Sequence, residues 1–205
     1  MKKILFILVF SNALTSELIL EITQGTEDPY RVAILKFEGD QKVSNDIDKI
    51  IRNNLKRSGE FNLFANEDLL SLPTNETEVI FNDFKILNID YLVIGKIVKD
   101  GISISVVYDI FDINKGKKIR TSTVYGIPNK NRQLGHYVSD GIYEEITGMK
   151  GISSTKILYV TENKNFNLMV ADADGSNEQI LLKSNDPIIS PCLLYTSDAA
   201  DDWSW

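Results

Sequence analysis

Between residues 140 and 175 the sequence reads Asp140-Gly-Ile-Tyr-Glu-Glu-Ile-Thr-Gly148, then Lys150-Gly151, Lys156-Ile-Leu-Tyr-Val160 and Leu168-Met-Val-Ala-Asp-Ala-Asp-Gly175. The apolar residues of the first part recur with the helical period of about 3.6 residues, whereas those of the later parts alternate with a period of 2. Gly148 stands where a helix would end, and Asp174-Gly175 is typical of a turn between strands. The stretch therefore predicts a boundary between a leading module and a β-rich module.

The leading module is predicted to be α/β with a mixed sheet, over residues 14–148. Strands are predicted at 18–25, 31–37, 61–64, 91–98, 102–110 and 117–125. The run from Tyr91 to Val98 is apolar almost throughout, which is typical of a central strand that is buried on both faces. One amphipathic helix is predicted from Val43 to Gly59 and another, capped by Asn131, up to Thr147. The second carries an apolar stripe of Leu134, Val138, Ile142 and Ile146.

After the boundary, three short strands are predicted at 156–160, 166–171 and 179–182. Three antiparallel strands of this length make up most of one β-propeller blade, so residues 152–191 are predicted to be an incomplete first blade. Asp172, Asp174 and Asn177 are interpreted as a hairpin turn, because the spacing of a calcium loop would need a glutamate where Lys183 stands. Residues 192–205 have no repeat character and are interpreted as a non-native tail.

The first thirteen residues have the pattern of a secretory signal peptide. Lys2 and Lys3 precede an apolar run from Ile4 to Phe10, and cleavage is predicted near Ala13. The run is much shorter than the ~20 residues of a membrane-spanning helix. The sequence therefore predicts export without direct membrane insertion.

Composition and motifs argue against several functions. The formal net charge of -7 and the lack of clustered cations argue against nucleic-acid binding. The chain has one cysteine, Cys192, and one histidine, His136, for which a surface or helix-packing role is predicted. No phosphate-binding glycine loop or nucleophile elbow is present, and Glu144-Glu145 is interpreted as an exposed helix face. No catalytic residue, cofactor or metal site is predicted.

The boundary region resembles the TolB family of the Tol-Pal cell-envelope system. The resemblance is carried by small, polar and aromatic residues in the family's order, namely Ser139, Asp140, Ile142, Tyr143, Thr147, Gly148, Gly151, Ser154, Tyr159, Val160, Asp172, Asp174, Gly175, Ser190 and Pro191. It implies an amino-terminal α/β domain followed by a six-bladed β-propeller, of which this chain would hold the opening. Tyr30-Arg-Val-Ala33 departs from the family pattern, which tends to have Pro-Ile-Ala at this point.

The resemblance also implies a non-enzymatic, periplasmic adaptor that supports outer-membrane integrity and envelope constriction in cell division. The inner-membrane protein TolA would bind the amino-terminal segment, here Leu20, Glu21, Ile22, Thr23, Gln24, Gly25 and Thr26. The lipoprotein Pal would bind only a complete propeller. An extended, apolar segment can join a partner by strand addition, or it can form an edge strand of its own module, and both remain open. A fragment of an exported propeller-containing hydrolase and a periplasmic ligand-sensing module are the alternatives.

Overall fold

The computed structural model describes residues 28–193, which form two β-sheets and three α-helices. The elements are β1 (Tyr30–Ile34), α1 (Gln41–Ser58), β2 (Phe61–Phe64), α2 (Phe81–Ile86), β3 (Tyr91–Asp100), β4 (Ser103–Asp112), β5 (Lys117–Gly126), α3 (Asn131–Thr147), β6 (Lys156–Glu162), β7 (Phe166–Asp172) and β8 (Gln179–Ser184). None of the described helices has the length and apolarity needed to cross a membrane. The predicted signal peptide, the predicted strand at 18–25 and all but the first two residues of the predicted tail lie outside the described residues.

The first sheet has the strand order β2-β1-β3-β4-β5. β1 runs parallel to both β2 and β3, whereas β3, β4 and β5 are antiparallel neighbours. The prediction of an α/β fold with a mixed sheet is therefore confirmed. β3 is the central strand, as its apolar run predicted, and Leu92, Val93 and Ile94 are buried.

Two hydrophobic clusters cover opposite faces of this sheet. Neighbouring residues of a strand point to opposite faces, and Val93 belongs to one cluster whereas Leu92 and Ile94 belong to the other. The first cluster contains the apolar stripes of α1 and α3, which pack side by side. The second contains Phe84 of α2 together with Phe111 of β4. Neither cluster includes a described residue after Ile146.

The ends of the two long helices follow from local chemistry. The carboxylate of Asp40 accepts hydrogen bonds from the backbone N–H groups of Lys42 and Val43, each at 3.1 Å, which starts α1. Gly59 (φ 77°) and Gly148 (φ 74°) end α1 and α3 in the left-handed conformation that glycine adopts at little cost. The sequence predicted both of these carboxyl-terminal ends correctly.

The predicted cap of α3 is wrong. Asn131 is the first helical residue rather than the cap, and the capping residue Lys130 makes no side-chain capping bond. Asn129 takes φ 75°, and the Lys130 N–H bonds the carbonyl of Ile127 at 3.1 Å. This turn completes before residue 131 and leaves the Asn131 amide to contact the Asp46 carboxylate at 3.4 Å.

The prediction that β4 begins at Ile102 is also wrong, since Ile102 lies in the turn before that strand. Asp100 pairs with Ser103, so Gly101 and Ile102 form a two-residue hairpin, with Gly101 at φ 51°. Ile102 is therefore 93% exposed, whereas Ile104, Val106, Tyr108 and Ile110 are buried as their alternation predicted.

The second sheet is antiparallel with the order β6-β7-β8. Its strands match the predicted positions, and the predicted Asp-Gly turn joins β7 to β8, with Gly175 at φ 79°. Most of its side chains remain at least partly exposed, and Ala171 and Asp172 are the buried residues within its strands.

Candidate functional site

The predicted TolA-binding residues, Leu20 to Thr26, lie outside the described residues. The described chain begins at Asp28 and Pro29, which enter β1 beside a cleft of about 370 Å³. In the sequence, Glu27 alone separates the predicted partner segment from Asp28.

The cleft is polar, and two of its carboxylates, those of Asp90 and Asp112, have partners within the module. Asp90 accepts hydrogen bonds from the backbone N–H of Arg31 at 2.9 Å and from the Asn114 amide at 3.2 Å. Asp112 lies 2.8 Å from both the backbone nitrogen and the ammonium of Lys115. Although burial opposes it, this bonding holds the pKa of Asp112 below its ordinary value. The cleft thus fixes the entry to β1 and presents no free reactive group among these side chains.

A second polar cluster joins α3 to the second sheet. Arg132, His136 and Asp140 follow each other at intervals of four residues, which places them on one stripe of the helix. This stripe is distinct from the apolar stripe that packs on the first sheet. We call the cluster the α3 seam and define it as Arg132, His136 and Asp140 together with Lys156, Asp172 and Asp174.

At one end of the seam, Asp140 holds the connection between the two sheets. Its two carboxylate oxygens accept hydrogen bonds from the backbone N–H groups of Ser153 at 2.6 Å and Ser154 at 2.8 Å. Gly151 passes so close that an added Cβ would lie 2.5 Å from the Cα of Asp140. The connection can therefore lie flat against α3 only with glycine at this position.

At the other end, charged groups of opposite sign meet. The Arg132 guanidinium bonds the Asp174 carboxylate and lies 3.9 Å from that of Asp172. The Lys156 ammonium bonds Asp172. Burial opposes ionisation of Asp174, but hydrogen bonds from Ser176 and the charge of Arg132 lower its pKa overall. The predicted hairpin turn is confirmed, and its acidic residues also attach the second sheet to α3.

His136 lies between these two ends and is buried, with 4% of its surface exposed. Its Nδ1 is 2.9 Å from the Asn54 amide nitrogen on α1, and its Nε2 is 3.8 Å from the nearer Asp174 oxygen. Burial lowers the pKa of His136 and outweighs the opposing effect of the Asp174 charge. Of the two roles that the sequence predicted, helix packing is therefore correct and surface exposure is wrong.

The protonation of neutral His136 follows from its neighbours. The guanidinium of Arg57 can only donate, and it bonds the Asn54 side-chain oxygen at 3.2 Å. The other end of the amide is therefore the NH₂ group, which donates to His136 Nδ1 and to the Ser139 hydroxyl. Nδ1 must then carry the lone pair, and the proton of the neutral ring resides on Nε2.

This arrangement does not suit a metal ion. Ligand atoms of His136, Asp172 and Asp174 all lie within 4.8 Å of one another, which is a compatible spacing. Arg132 and Lys156 already neutralise the two carboxylates, and the ring nitrogen that faces them carries a proton instead of a lone pair. The seam is therefore built as an ion-pair and hydrogen-bond network.

Sequence reasoning did not find the seam. The four-residue spacing of Arg132, His136 and Asp140 could be read from the sequence, but their partners lie some distance further along the chain. The interpretation of Glu144-Glu145 as an exposed helix face holds for Glu144, whereas Glu145 is partly buried and lies 3.9 Å from Arg120.

Comparison with known proteins identifies the family. Residues 18–119 match the model of the TolB amino-terminal domain. The chain is 38% identical over 181 residues to the Tol-Pal system protein TolB of Alcanivorax borkumensis. The aligned region covers 86% of this chain and 42% of that relative. The chain is 34% identical over 180 residues to the Tol-Pal system protein TolB of Pseudomonas aeruginosa, and the aligned region covers 84% of this chain and 42% of that relative.

A solved structure agrees with these relatives. The crystal structure of TolB from Acinetobacter baumannii matches 83% of this chain and 43% of its own length, with a TM-score of 0.71 and 30% identity. The chain thus spans less than half the length of the relatives that it matches. Together with the family model, these likenesses confirm the resemblance inferred from the boundary residues: the chain belongs to the TolB family.

Proposed function

We propose that this protein is a periplasmic, non-catalytic adaptor of the Tol-Pal system. The observation that carries the proposal is the match of residues 18–119 to the TolB amino-terminal domain, because the match includes the segment from Leu20 to Thr26. Export would depend on a signal peptide at residues 1–13, cleaved near Ala13. The adaptor role also fits the α3 seam, whose carboxylates are bonded by Arg132, by Lys156 and by backbone N–H groups rather than arranged around a reactive group.

We further propose that TolA binds Leu20 to Thr26 by strand addition. Backbone hydrogen bonds would provide affinity, and alternate side chains would provide selectivity. The short connection through Asp28 and Pro29 into β1 would hold this segment close to the module.

The three-stranded sheet is, in this proposal, the opening of the first propeller blade, at residues 152–191, after an amino-terminal domain at 14–148. Ile157, Ile180, Leu181 and Leu182 are between 42% and 54% exposed, which is expected of a blade without its neighbours. Residues 192–205 would be a non-native tail, and Pal would require the complete propeller.

Calorimetric titration with purified TolA tests the first interaction. Alanine at Leu20 and Ile22 should weaken binding at least tenfold if these side chains enter the partner's surface, whereas alanine at Glu21 and Thr23 should have a smaller effect. A protein with Leu20 to Thr26 in shuffled order is the matched control for composition. Equal affinity for the shuffled and native segments would contradict the proposal.

Two measurements test the remainder. This chain should not retain Pal in a pull-down, and strong retention would refute the need for a complete propeller. Amide exchange should be slow in the first sheet and fast across most of residues 152–191, because a lone blade buries little apolar surface. Ser153 and Ser154 are the expected exceptions, since Asp140 accepts their backbone N–H groups. Equal protection of both regions would contradict the blade proposal.

A further inference from the structure

His136 is in contact with both neighbours of α3, which gives one side chain two competing sets of partners. On the α1 side, its Nδ1 accepts from Asn54, whose oxygen is bonded by Arg57. On the side of the second sheet, its Nε2 faces Asp174 at 3.8 Å and has no hydrogen-bond partner, although it is fully buried. The ring is therefore well bonded to α1 and incompletely bonded to the second sheet.

Adding a proton reverses this balance. The proton must bind Nδ1, because Nε2 already carries one, and protonated Nδ1 can no longer accept from the Asn54 amide. The resulting imidazolium is attracted to Asp174 and Asp172 on the second sheet and to Asp140 on its own helix. Arg132, one turn earlier on α3, opposes the charge.

We propose that His136 is a proton-operated switch that ties α3 to α1 when the ring is neutral and to the turn between β7 and β8 when the ring is charged. This regulatory contact is additional to partner binding by the amino-terminal segment and does not depend on it. Lys156 completes the set of charged groups, because its ammonium bonds Asp172 and limits the attraction of that carboxylate for the ring.

The surroundings set the pH range of the switch. Burial makes the pKa of His136 lower than the ordinary value of about 6.5, so the ring is neutral near pH 7 and becomes charged only in more acidic conditions. Because the chain has one histidine, imidazole signals belong to a single residue.

The test is an ¹⁵N-imidazole NMR titration of the full chain from pH 8 to pH 4.5. At high pH the ring should be the Nε2-protonated tautomer. As pH falls, the ring should titrate with a midpoint below about 6.5, and the Asn54 side-chain amide and the backbone amides of Gly175 and Ser176 should shift with the same midpoint. An Nδ1-protonated ring at high pH, a midpoint at or above 6.5, or an unresponsive Asn54 would overturn the proposal.

Substitution of the carboxylate separates the switch from simple burial. Asp174→Asn should move the midpoint further down, because the charge that favours the imidazolium is lost. Glu144→Gln, an acid-to-amide change on an exposed part of the same helix, should leave the midpoint in place. An unchanged midpoint in Asp174→Asn would overturn the proposal, as would unfolding of the native chain before the ring titrates.

Discussion

Replacing Asp140 by asparagine should release the connection between the two sheets from α3. In the native protein the two oxygens of Asp140 each accept one backbone N–H, from Ser153 and from Ser154. Asparagine retains one oxygen but turns an NH₂ group towards the other N–H, so one bond is lost and two donors face each other. Leaving a partly buried donor unpaired costs about 1–3 kcal/mol.

The loss should appear as local opening, which amide exchange measures at individual residues. A change of about 1–3 kcal/mol corresponds to about a 5- to 150-fold change in an equilibrium constant, so the amides of Ser153 and Ser154 should exchange faster by that factor. Amides in the centre of β3 should change much less, because Asp140 contributes to neither hydrophobic cluster.

Two further variants sharpen the result. Glu144→Gln makes the same chemical change on an exposed position of α3 and should leave these amides within about 0.5 kcal/mol of native. Gly151→Ala retains the carboxylate but forces the connection away from α3, so it should reproduce the fast exchange. Native exchange at Ser153 and Ser154 in Asp140→Asn would refute the reasoning, as would equal effects in Asp140→Asn and Glu144→Gln.

Three other outcomes are expected. Because folding lowers the pKa of His136, the unfolded chain takes up a proton at a higher pH than the folded chain. The free energy of unfolding should therefore fall as pH drops below about 6.5, by at most about 1.4 kcal/mol per pH unit. Urea unfolding from pH 8 to pH 5 should show this, and a similar slope in His136→Gln would contradict it. Asp40→Ala removes the cap of α1 and should cost about 1 kcal/mol, visible as a lower midpoint of thermal unfolding, whereas Asp40→Asn, which can still cap, should cost less. Phe84→Ala should cost about 3–5 kcal/mol in urea unfolding, because Phe84 is completely buried in the second cluster, and a loss below 1 kcal/mol would show that α2 does not hold that face of the sheet.

Much of the fold could be predicted because its elements are specified locally. Burial can be read from patterns that span only a few residues. Examples are the apolar stripe of α1, the unbroken apolar run of β3 and the alternation in β4. The errors also have local causes. Asn131 is a good capping residue by type, but the turn at Asn129 ends the loop earlier, and Ile102 is apolar but lies where the hairpin reverses.

The α3 seam could not be predicted in the same way. Arg132 and Asp174 are 42 residues apart, and no repeat in the sequence links a residue of a helix to a turn in another sheet. Polar residues at intervals of four on a helix are usually solvated, so their spacing alone does not indicate a contact. Asn54 shows the same difficulty, since its burial against His136 depends on how α1 packs beside α3.

The polar character of the seam has a practical consequence for dissecting the protein. A chain cut after Gly148 would expose Arg132 and Asp140 to water, where charged groups are readily hydrated. The cut would therefore leave no large exposed apolar patch on this face of α3. We therefore expect the fragment that ends at Gly148 to remain soluble in isolation. In this fragment His136 would be exposed to water, and its pKa would move towards that of a free side chain. Measurements of partner binding by the amino-terminal segment could then use this shorter fragment, which lacks the partly exposed apolar strands β6 to β8.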